Sequence, residues 1–226
     1  MFNHVDLNLS PLERETIDGV RYYSVPDEEE LLRLVSITSI TSHFNKEIFI
    51  KWRKKVGNEE ADRVTKEATR RGTDFHEAVQ DYLENKELVW DNYQPLTQFM
   101  FHSAKSSLDK IGKIHAIERT LYSEYLGLAG RVDCIAEYEG ELAVIDFKTS
   151  KKIKPEKWIE QYFVQEVAYA CMYYELTGIP VQKLITIMVT PNGEIKVYDK
   201  KNKGDYIKLL VKYVKEFIKN RMVANG

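Results

Sequence analysis

The sequence predicts an α/β fold, because its apolar patterns give helices, then three strands, a helix, two strands and a closing helix. The strands at its centre are the most clearly marked. Residues 131–138 and 142–148 are rich in Val, Ile, Phe and Tyr, and the turn Glu139-Gly140 between them predicts a β-hairpin. At 226 residues, of which 43% are hydrophobic, the chain can bury a sizeable core. We therefore expect one compact unit.

The clearest helix is predicted over residues 155–177. Pro155 suits a first helical turn, Gly178 suits a C-terminal cap, and Pro180 blocks continuation. Apolar runs and the turn Pro191-Asn192-Gly193 then predict a second hairpin, followed by an amphipathic helix. The elements predicted in this part of the chain are strands over 184–190 and 194–198 and a helix over 205–221.

The first half of the chain is predicted to be mostly helical. Residues 1–34 have the pattern of an irregular acidic lead-in, with a helix starting at 27–30 after Pro26. Residues 36–42 alternate polar and β-branched side chains. The elements predicted after them are helices over 44–56, 59–85 (interrupted or kinked near Gly72) and 95–111, and a strand over 114–124. We divide the chain into a helical region, 1–112, and a core, 113–226.

Composition excludes several classes of protein. Cys134 and Cys171 are too few for a disulfide framework or a cysteine-ligated cluster, and they fit a reducing cytosol. We expect no membrane span and no targeting peptide, hence a cytoplasmic protein. Residues 1–147 carry a net charge of −9 and residues 148–226 a net charge of +7. The basic part is compatible with a polyanionic partner, and equally with an ordinary basic surface.

The predicted hairpin concentrates charge on one face. If Glu139 and Gly140 form the loop, counting outward pairs Asp133 with Asp146, and their Cβ atoms then lie roughly 5 Å apart. Alternation places Lys148 on the same face as Asp146. Two carboxylates and an ammonium group at this range suit a divalent cation and a phosphate that gains negative charge.

A surface ladder of salt bridges is the alternative interpretation of these three charges. However, strand 142–148 is apolar on both faces, as is typical of a strand buried on both sides. Charges in such a strand are costly unless they have partners. We therefore favour a functional site over a surface ladder.

Two residues upstream of the hairpin are further candidates. Glu118, in phase with Ala116 and Thr120 on the preceding strand, could supply a third acidic oxygen or could simply be solvated. His76 lies on a predicted helix, where a lone histidine is more often structural or exposed. Arg71 could seat a phosphate, although arginines on exposed helices are common.

Gln165 and Tyr169 are four residues apart on the 155–177 helix and so share a face. Trp158 and Met172 lie on the same face, which makes a plain core stripe the default interpretation. A glutamine inside such a stripe needs hydrogen-bond partners, and a nearby lysine or phosphate would provide them.

Together these residues resemble the PD-(D/E)XK nuclease superfamily in its RecB-like branch. The branch has Gly-x-x-x-His, Gly-Arg-x-Asp, Asp-x-Lys and Gln-x-x-x-Tyr motifs in this order. This chain matches them with Gly72 and His76, with Gly130-Arg131-Val132-Asp133, with Asp146 and Lys148, and with Gln165 and Tyr169. Within the branch, Ser39-Ile40-Thr41, Trp52 and Gly57 look similar to segments of the mitochondrial genome maintenance exonuclease family and of similar phage-encoded nucleases.

The resemblance implies a restriction-endonuclease-like core, a central mixed β-sheet flanked by helices, and a divalent-metal site for Mg²⁺ or Mn²⁺. The implied metal ligands are His76, Asp133, Asp146 and the Phe147 carbonyl. The implied catalytic residues are Asp133, Asp146, Lys148, Gln165, Tyr169 and Glu118, the last of which binds a second metal or buttresses the first. No iron–sulfur cluster of the kind found in related nucleases is expected, because the chain has only two cysteines.

The implied activity is exonucleolytic cleavage of DNA with free single-stranded ends. Residues expected to contact the DNA backbone are Ser39, Thr41, Arg71 and Lys151. Two alternatives stay open: a structure-selective endonuclease on the same fold, and a catalytically inactive DNA-binding protein. The missing transit peptide favours a bacterial cell or a phage-infected cell over a mitochondrion. Protein partners are not indicated.

Overall fold

A computed structural model describes residues 1–26 and 31–224 of the chain. The described residues form eight β-strands: β1 (Glu13–Ile17), β2 (Val20–Pro26), β3 (Leu31–Ser36), β4 (Ile111–Ser123), β5 (Leu128–Tyr138), β6 (Glu141–Thr149), β7 (Lys183–Val189) and β8 (Ile195–Lys200). They also form five α-helices: α1 (Ile37–Val56), α2 (Asn58–Leu83), α3 (Pro95–Leu108), α4 (Glu160–Thr177) and α5 (Gly204–Ala224). Short 3₁₀ helices cover Trp90–Asn92 and Glu156–Trp158.

All eight strands belong to one mixed β-sheet, in the order β1-β2-β3-β5-β6-β7-β8, with β4 paired to β5. Strand β5 is the centre of this arrangement, because β4 pairs antiparallel along one of its edges while β3 and β6 share the other. β3 pairs with Leu128 and Ala129, and β6 pairs from Cys134 onward. The segment 130–133 lies where β5 passes from one neighbour to the other, and it carries the Gly-Arg-x-Asp motif.

Helices cover both faces of the sheet. Residues of α1, α4 and α5 form a buried core on one face, including Ile37, Phe163 and Phe217. Residues of α2 and α3 form a second core on the other face, including Phe75 and Met100. The parallel pair β6 and β7 is joined through α4, as a parallel connection requires. The fold is α/β and restriction-endonuclease-like, as the sequence predicted.

The N-terminal segment differs from its prediction. Residues 1–34 were expected to be irregular, but β1, β2 and β3 form an antiparallel extension of the sheet. Strand β1, with the sequence Glu-Arg-Glu-Thr-Ile, is largely exposed at the sheet edge, so it lacks the alternation that marks a strand. The helix start predicted at 27–30 falls outside the described residues.

Several predicted element boundaries also shift. Helix α1 begins at Ile37, so the alternating segment 36–42 is almost entirely helical, and α2 continues through Gly72 without interruption. Helix α4 begins at Glu160 rather than Pro155, and Trp158 is 63% exposed, so it is not part of a core stripe. Gly178 caps α4 in the left-handed conformation, with φ 71°, as expected. Among the described residues, no helix is suited to crossing a bilayer.

Candidate active site

The central hairpin forms with the predicted turn. Glu139 and Gly140 both have positive φ, 53° and 83°, as a two-residue type I′ turn requires, and Tyr138 pairs with Glu141. The ladder extends only to Cys134 and Ile145. Beyond that pair the Asp133 side chain, rather than the backbone, bonds to β6: its Oδ2 accepts a hydrogen bond from the Phe147 N–H at 2.9 Å.

Asp133 and Asp146 follow in the register that was counted from the turn, but the paired ladder ends one residue earlier, at Cys134 and Ile145. The physical reason is the transition at segment 130–133, where β5 exchanges β3 for β6 as its neighbour. The carboxylate of Asp133 replaces a backbone carbonyl as the acceptor for β6. This contact fixes the Asp133 side chain against the strand that carries Asp146 and Lys148.

Asp146 and Lys148 form a buried ion pair on one face of β6. Lys148 Nζ lies 2.5 Å from Asp146 Oδ2, and Asp146 is only 2% exposed. Burial raises the pKa of Asp146 to about 7, although the charge on Lys148 opposes this shift. Burial also acts against the Lys148 charge, but the carboxylates of Asp146 and Asp133 outweigh it and raise the lysine pKa. Lys148 is therefore held as a cation.

Three side chains on different elements converge beside this pair. His76 on α2 places Nδ1 3.7 Å from Glu118 Oε1 and 3.7 Å from Asp133 Oδ2. One ligand atom from each of the three residues lies within 4.8 Å of the others. Glu118 has a positive φ of 47°, which departs from strand geometry, so alternation along β4 does not fix its direction. Its second oxygen is 2.5 Å from Arg131 Nε.

His76 is protonated when the site contains no cation. Burial disfavours the charged ring, but the negative charge on Asp133 and the neighbouring Glu118 carboxylate outweigh burial and raise the His76 pKa to about 9. Its other nitrogen, Nε2, lies 2.6 Å from the Phe147 carbonyl oxygen and donates its proton to it. Nδ1, which faces the two carboxylates, is thus the ring atom that is placed to bind a metal.

The cluster fits a divalent cation, because two carboxylates and an imidazole are ligands of Mg²⁺ and Mn²⁺ type ions. It differs in membership from the set implied by the resemblance. Glu118 belongs to it, whereas Asp146 faces Lys148 and the Phe147 carbonyl accepts the His76 hydrogen bond. Both groups keep acceptor capacity beside their present partners, in the second carboxylate oxygen of Asp146 and the second lone pair of the Phe147 carbonyl.

Helix α4 packs its motif residues against β5. Tyr169 is buried, and its hydroxyl donates to the Arg131 carbonyl oxygen at 2.8 Å. Gln165 lies one turn earlier on the same face and is half-buried. Tyr169 therefore fixes the backbone two residues before Asp133, at the segment where β3 no longer pairs with β5.

Glu166 is a member of the site that the sequence prediction missed. It is fully buried (0% exposed), and its Oε1 accepts a hydrogen bond from the Thr186 hydroxyl. Thr186 pairs with Asp146 across β6 and β7. Among the described residues Glu166 Oε2 has no hydrogen-bond partner, and burial, together with the Asp146 charge, raises the Glu166 pKa well above its usual range. The available signal was an acidic residue amid the apolar run of α4.

The residues predicted to contact DNA are dispersed. Arg71 is half-buried on α2, the helix that also carries His76, and its Nε has no partner among the described residues. Lys151 is exposed in the loop after β6. Ser39 Oγ accepts a hydrogen bond from the Arg21 N–H at 2.9 Å. Thr41 is 5% exposed, and its hydroxyl donates to the Thr38 carbonyl, so it would have to move to meet DNA.

The chain belongs to the PD-(D/E)XK nuclease superfamily, whose family model matches residues 50–220. Nucleases of this superfamily use divalent metals, in agreement with the donor set at the candidate site.

Curated relatives are similar to part of the chain. Mitochondrial genome maintenance exonuclease 1 of Homo sapiens is 36% identical over 102 residues, which are 43% of this chain and 29% of the human protein. The same protein of Mus musculus is 36% identical over 84 residues, 37% of this chain and 25% of its own. The matched segments thus span less than a third of these relatives. A solved protein from Eubacterium rectale is 13% identical and covers 87% of this chain and 68% of its own, at a TM-score of 0.43.

Proposed function

We propose that this protein is a divalent-metal-dependent deoxyribonuclease that hydrolyses phosphodiester bonds from single-stranded DNA ends. The observation that carries the proposal is a positively charged, ion-paired ammonium group beside a cluster of three metal-ligand side chains. The ammonium is Lys148 Nζ, and the cluster is His76, Glu118 and Asp133. A cation site beside a fixed positive charge stabilises the negative charge that develops on a phosphate under attack.

The roles of the residues follow from their contacts. His76 Nδ1, Glu118 and Asp133 would hold the metal, and the imidazole nitrogen suits Mn²⁺ better than Mg²⁺. When bound, such an ion lowers the pKa of a water molecule and screens the phosphate. Lys148, positioned by Asp146, orients the attacking water or stabilises the phosphate charge. Tyr169 positions the strand that leads to Asp133, and Gln165, one turn earlier on the same face of α4, would help to position Lys148 and the phosphate.

Exonuclease action on DNA is proposed from two kinds of support. The curated relatives are named as exonucleases, although they match over a minority of their length. Arg71 and Lys151 are cationic and Ser39 carries a hydroxyl, so these residues suit contacts to a DNA backbone. We further propose that residues 113–226 form the nuclease core and that residues 1–112 carry the His76 motif.

The test compares end-labelled linear single-stranded DNA with the same sequence as a covalently closed circle. Each is incubated with Mn²⁺, with Mg²⁺ and with chelator. Metal-dependent loss of the linear form alone is the expected result. Cutting of the circle would replace exonuclease by endonuclease, and no cleavage with any metal would leave a DNA-binding protein.

Lys148→Ala tests the catalytic role directly. We expect cleavage to fall by at least about 100-fold, since a positioned charge in a dry site contributes on that order, while affinity for DNA in chelator changes little. Lys208→Ala removes an exposed lysine from α5 and is the matched control, with normal cleavage expected. Wild-type rates from Lys148→Ala would refute the assignment.

A further inference from the structure

A cleft of about 800 Å³ opens on a different part of the surface from the metal cluster. Its walls are the turn between β1 and β2, one face of α1, and the C-terminal end of α5. Along α1 this face runs from Thr38 to Phe49, a distance of about 16 Å at the rise of an α-helix. The cleft is therefore elongated rather than a compact cavity for a small molecule.

The charges that line the cleft are mostly positive. Arg21, Lys46 and Arg221 are lining residues, and Asp18 is the acidic side chain that lines it with them. None of the three cations forms an ion pair with any residue that the structure describes. Arg53, further along α1, is by contrast satisfied by Asp62 at 2.7 Å. Cations left without carboxylate partners favour an anionic ligand.

Hydroxyl and aromatic groups accompany these charges. Ser39 lines the cleft, and because its oxygen accepts the Arg21 N–H, its own proton is available to donate. Phe49 is 43% exposed at the far end, with its ring 5.5 Å from that of Trp52. Exposed rings next to phosphate-binding cations are the combination by which proteins bind single strands, because bases stack on the rings. A duplex would hide its bases from such a surface.

The cleft is connected to the candidate active site through α1. Ser36, just before the helix, pairs with Ala129 of β5. Ile37 packs against Gly130, since its Cγ2 would lie 3.0 Å from a Cβ built on that glycine. The N-terminal end of α1 thus abuts the strand that leads to Asp133, and the lining face begins at the next residue, Thr38.

We propose that this cleft binds a stretch of single-stranded DNA at a distance from the cleaved bond. Backbone phosphates lie against Arg21, Lys46 and Arg221, and a base stacks on Phe49. The inference rests on the proposed nuclease function, because the bound stretch is the continuation of the strand whose end is cut. It adds a second contact region, which makes affinity depend on substrate length.

The test is fluorescence anisotropy with labelled oligodeoxythymidylates, one short and one long, in chelator so that no cleavage occurs. The double variant Arg21→Gln/Lys46→Gln should weaken binding of the long strand by about tenfold at low salt. Each phosphate contact on a single strand contributes roughly 0.7 to the slope of log affinity against log salt, so this slope should fall by about 1.4. Binding of the short strand should change little.

The control variant is Lys208→Gln/Lys212→Gln, which removes the same charge from exposed positions of α5 outside the cleft. It should leave the salt slope of the long strand unchanged. Phe49→Ala should weaken long-strand binding by about fivefold or more, from lost stacking, without altering the slope. Lys46 and Phe49 project from the exposed side of α1, so their variants are expected to fold.

The outcomes separate the two proposals. The cleft proposal would be overturned if Arg21→Gln/Lys46→Gln left the salt slope unchanged, or if it lowered the affinity for short and long strands equally. This holds even if the wild-type protein cuts DNA normally. Tighter binding of a labelled acidic peptide than of the oligonucleotide would also overturn it. If wild-type protein cuts no DNA with any metal, the nuclease proposal fails, whereas the binding data still decide whether the cleft holds a single strand.

Discussion

Gly130 has no space for a side chain. A Cβ built on it would lie 2.9 Å from Tyr169 Cε1, 3.0 Å from Tyr169 Oη and 3.0 Å from Ile37 Cγ2. Both neighbours are fully buried, so neither can move away cheaply. Gly130→Ala must therefore displace Tyr169, whose hydroxyl holds the Arg131 carbonyl. The segment that would shift is the one that leads to Asp133.

Overpacking of this kind costs about 1–3 kcal/mol. For a protein of this size 1 kcal/mol shifts Tm by about 2–4 °C, so the variant should melt roughly 2–12 °C lower. The cleavage rate should fall by more than the loss of folded protein explains, because Asp133 is displaced relative to His76. Differential scanning calorimetry and the linear-DNA assay at a temperature well below both melting points measure the two effects separately.

Gly72→Ala is the matched control, since Gly72 is the glycine of the Gly-x-x-x-His motif, as Gly130 is of the Gly-Arg-x-Asp motif. A Cβ there would meet only Thr149 Oγ1, at 3.8 Å, and Gly72 lies inside α2. Alanine in a helix is favoured over glycine by about 0.5–1 kcal/mol, so Tm should rise by about 1–4 °C. Shifts of the same sign at Gly130 and Gly72 would refute the packing argument.

Two further predictions concern titrating groups. Glu166 has a raised pKa, so the folded state keeps a proton that the unfolded chain loses above about pH 4.5, and stability must fall as pH rises. Glu166→Gln can still accept the Thr186 hydrogen bond and should remove that fall, which amounts to about 1.4 kcal/mol for each unit by which the Glu166 pKa is raised. The measurement is the free energy of unfolding by urea, in chelator, at a series of pH values. The same pH dependence in wild type and variant would contradict this. His76, with its pKa of about 9, contributes metal-free stability that is full below about pH 6.5 and is lost as pH rises through about 9. Mn²⁺ must displace its proton, so affinity measured by titration calorimetry should increase up to about pH 9, and a flat profile would exclude His76 as a ligand.

The hairpin could be predicted from sequence because its information is local. Two β-rich runs, a two-residue turn and period-2 alternation place Asp146 and Lys148 on one face, and the structure confirms that pairing. The same register places Asp133 next after the last pair, Cys134 and Ile145, as counted from the turn. The hydrogen bond from the Phe147 N–H to the Asp133 carboxylate was beyond this reasoning, because it depends on where β5 exchanges β3 for β6, a long-range arrangement that no turn signal encodes.

Other errors also come from long-range structure. Strand β1 is exposed and highly charged, so its extended conformation depends on pairing with β2 rather than on its own pattern. Glu118 has a backbone conformation that alternation cannot represent. Glu166 stands beside the motif residue Gln165 and no motif marks it, whereas the fold buries it against Thr186.

The charges of the site explain why these separate elements meet. Without a metal, His76 carries a proton between the carboxylates of Glu118 and Asp133. That proton occupies the place of a cation, because two carboxylates this close repel each other unless a positive charge lies near them. The ammonium group of Lys148 likewise neutralises Asp146, but this charge stays in the site. A divalent ion would therefore exchange with the proton on His76 and leave the lysine in place, which gives the site one replaceable and one permanent positive charge.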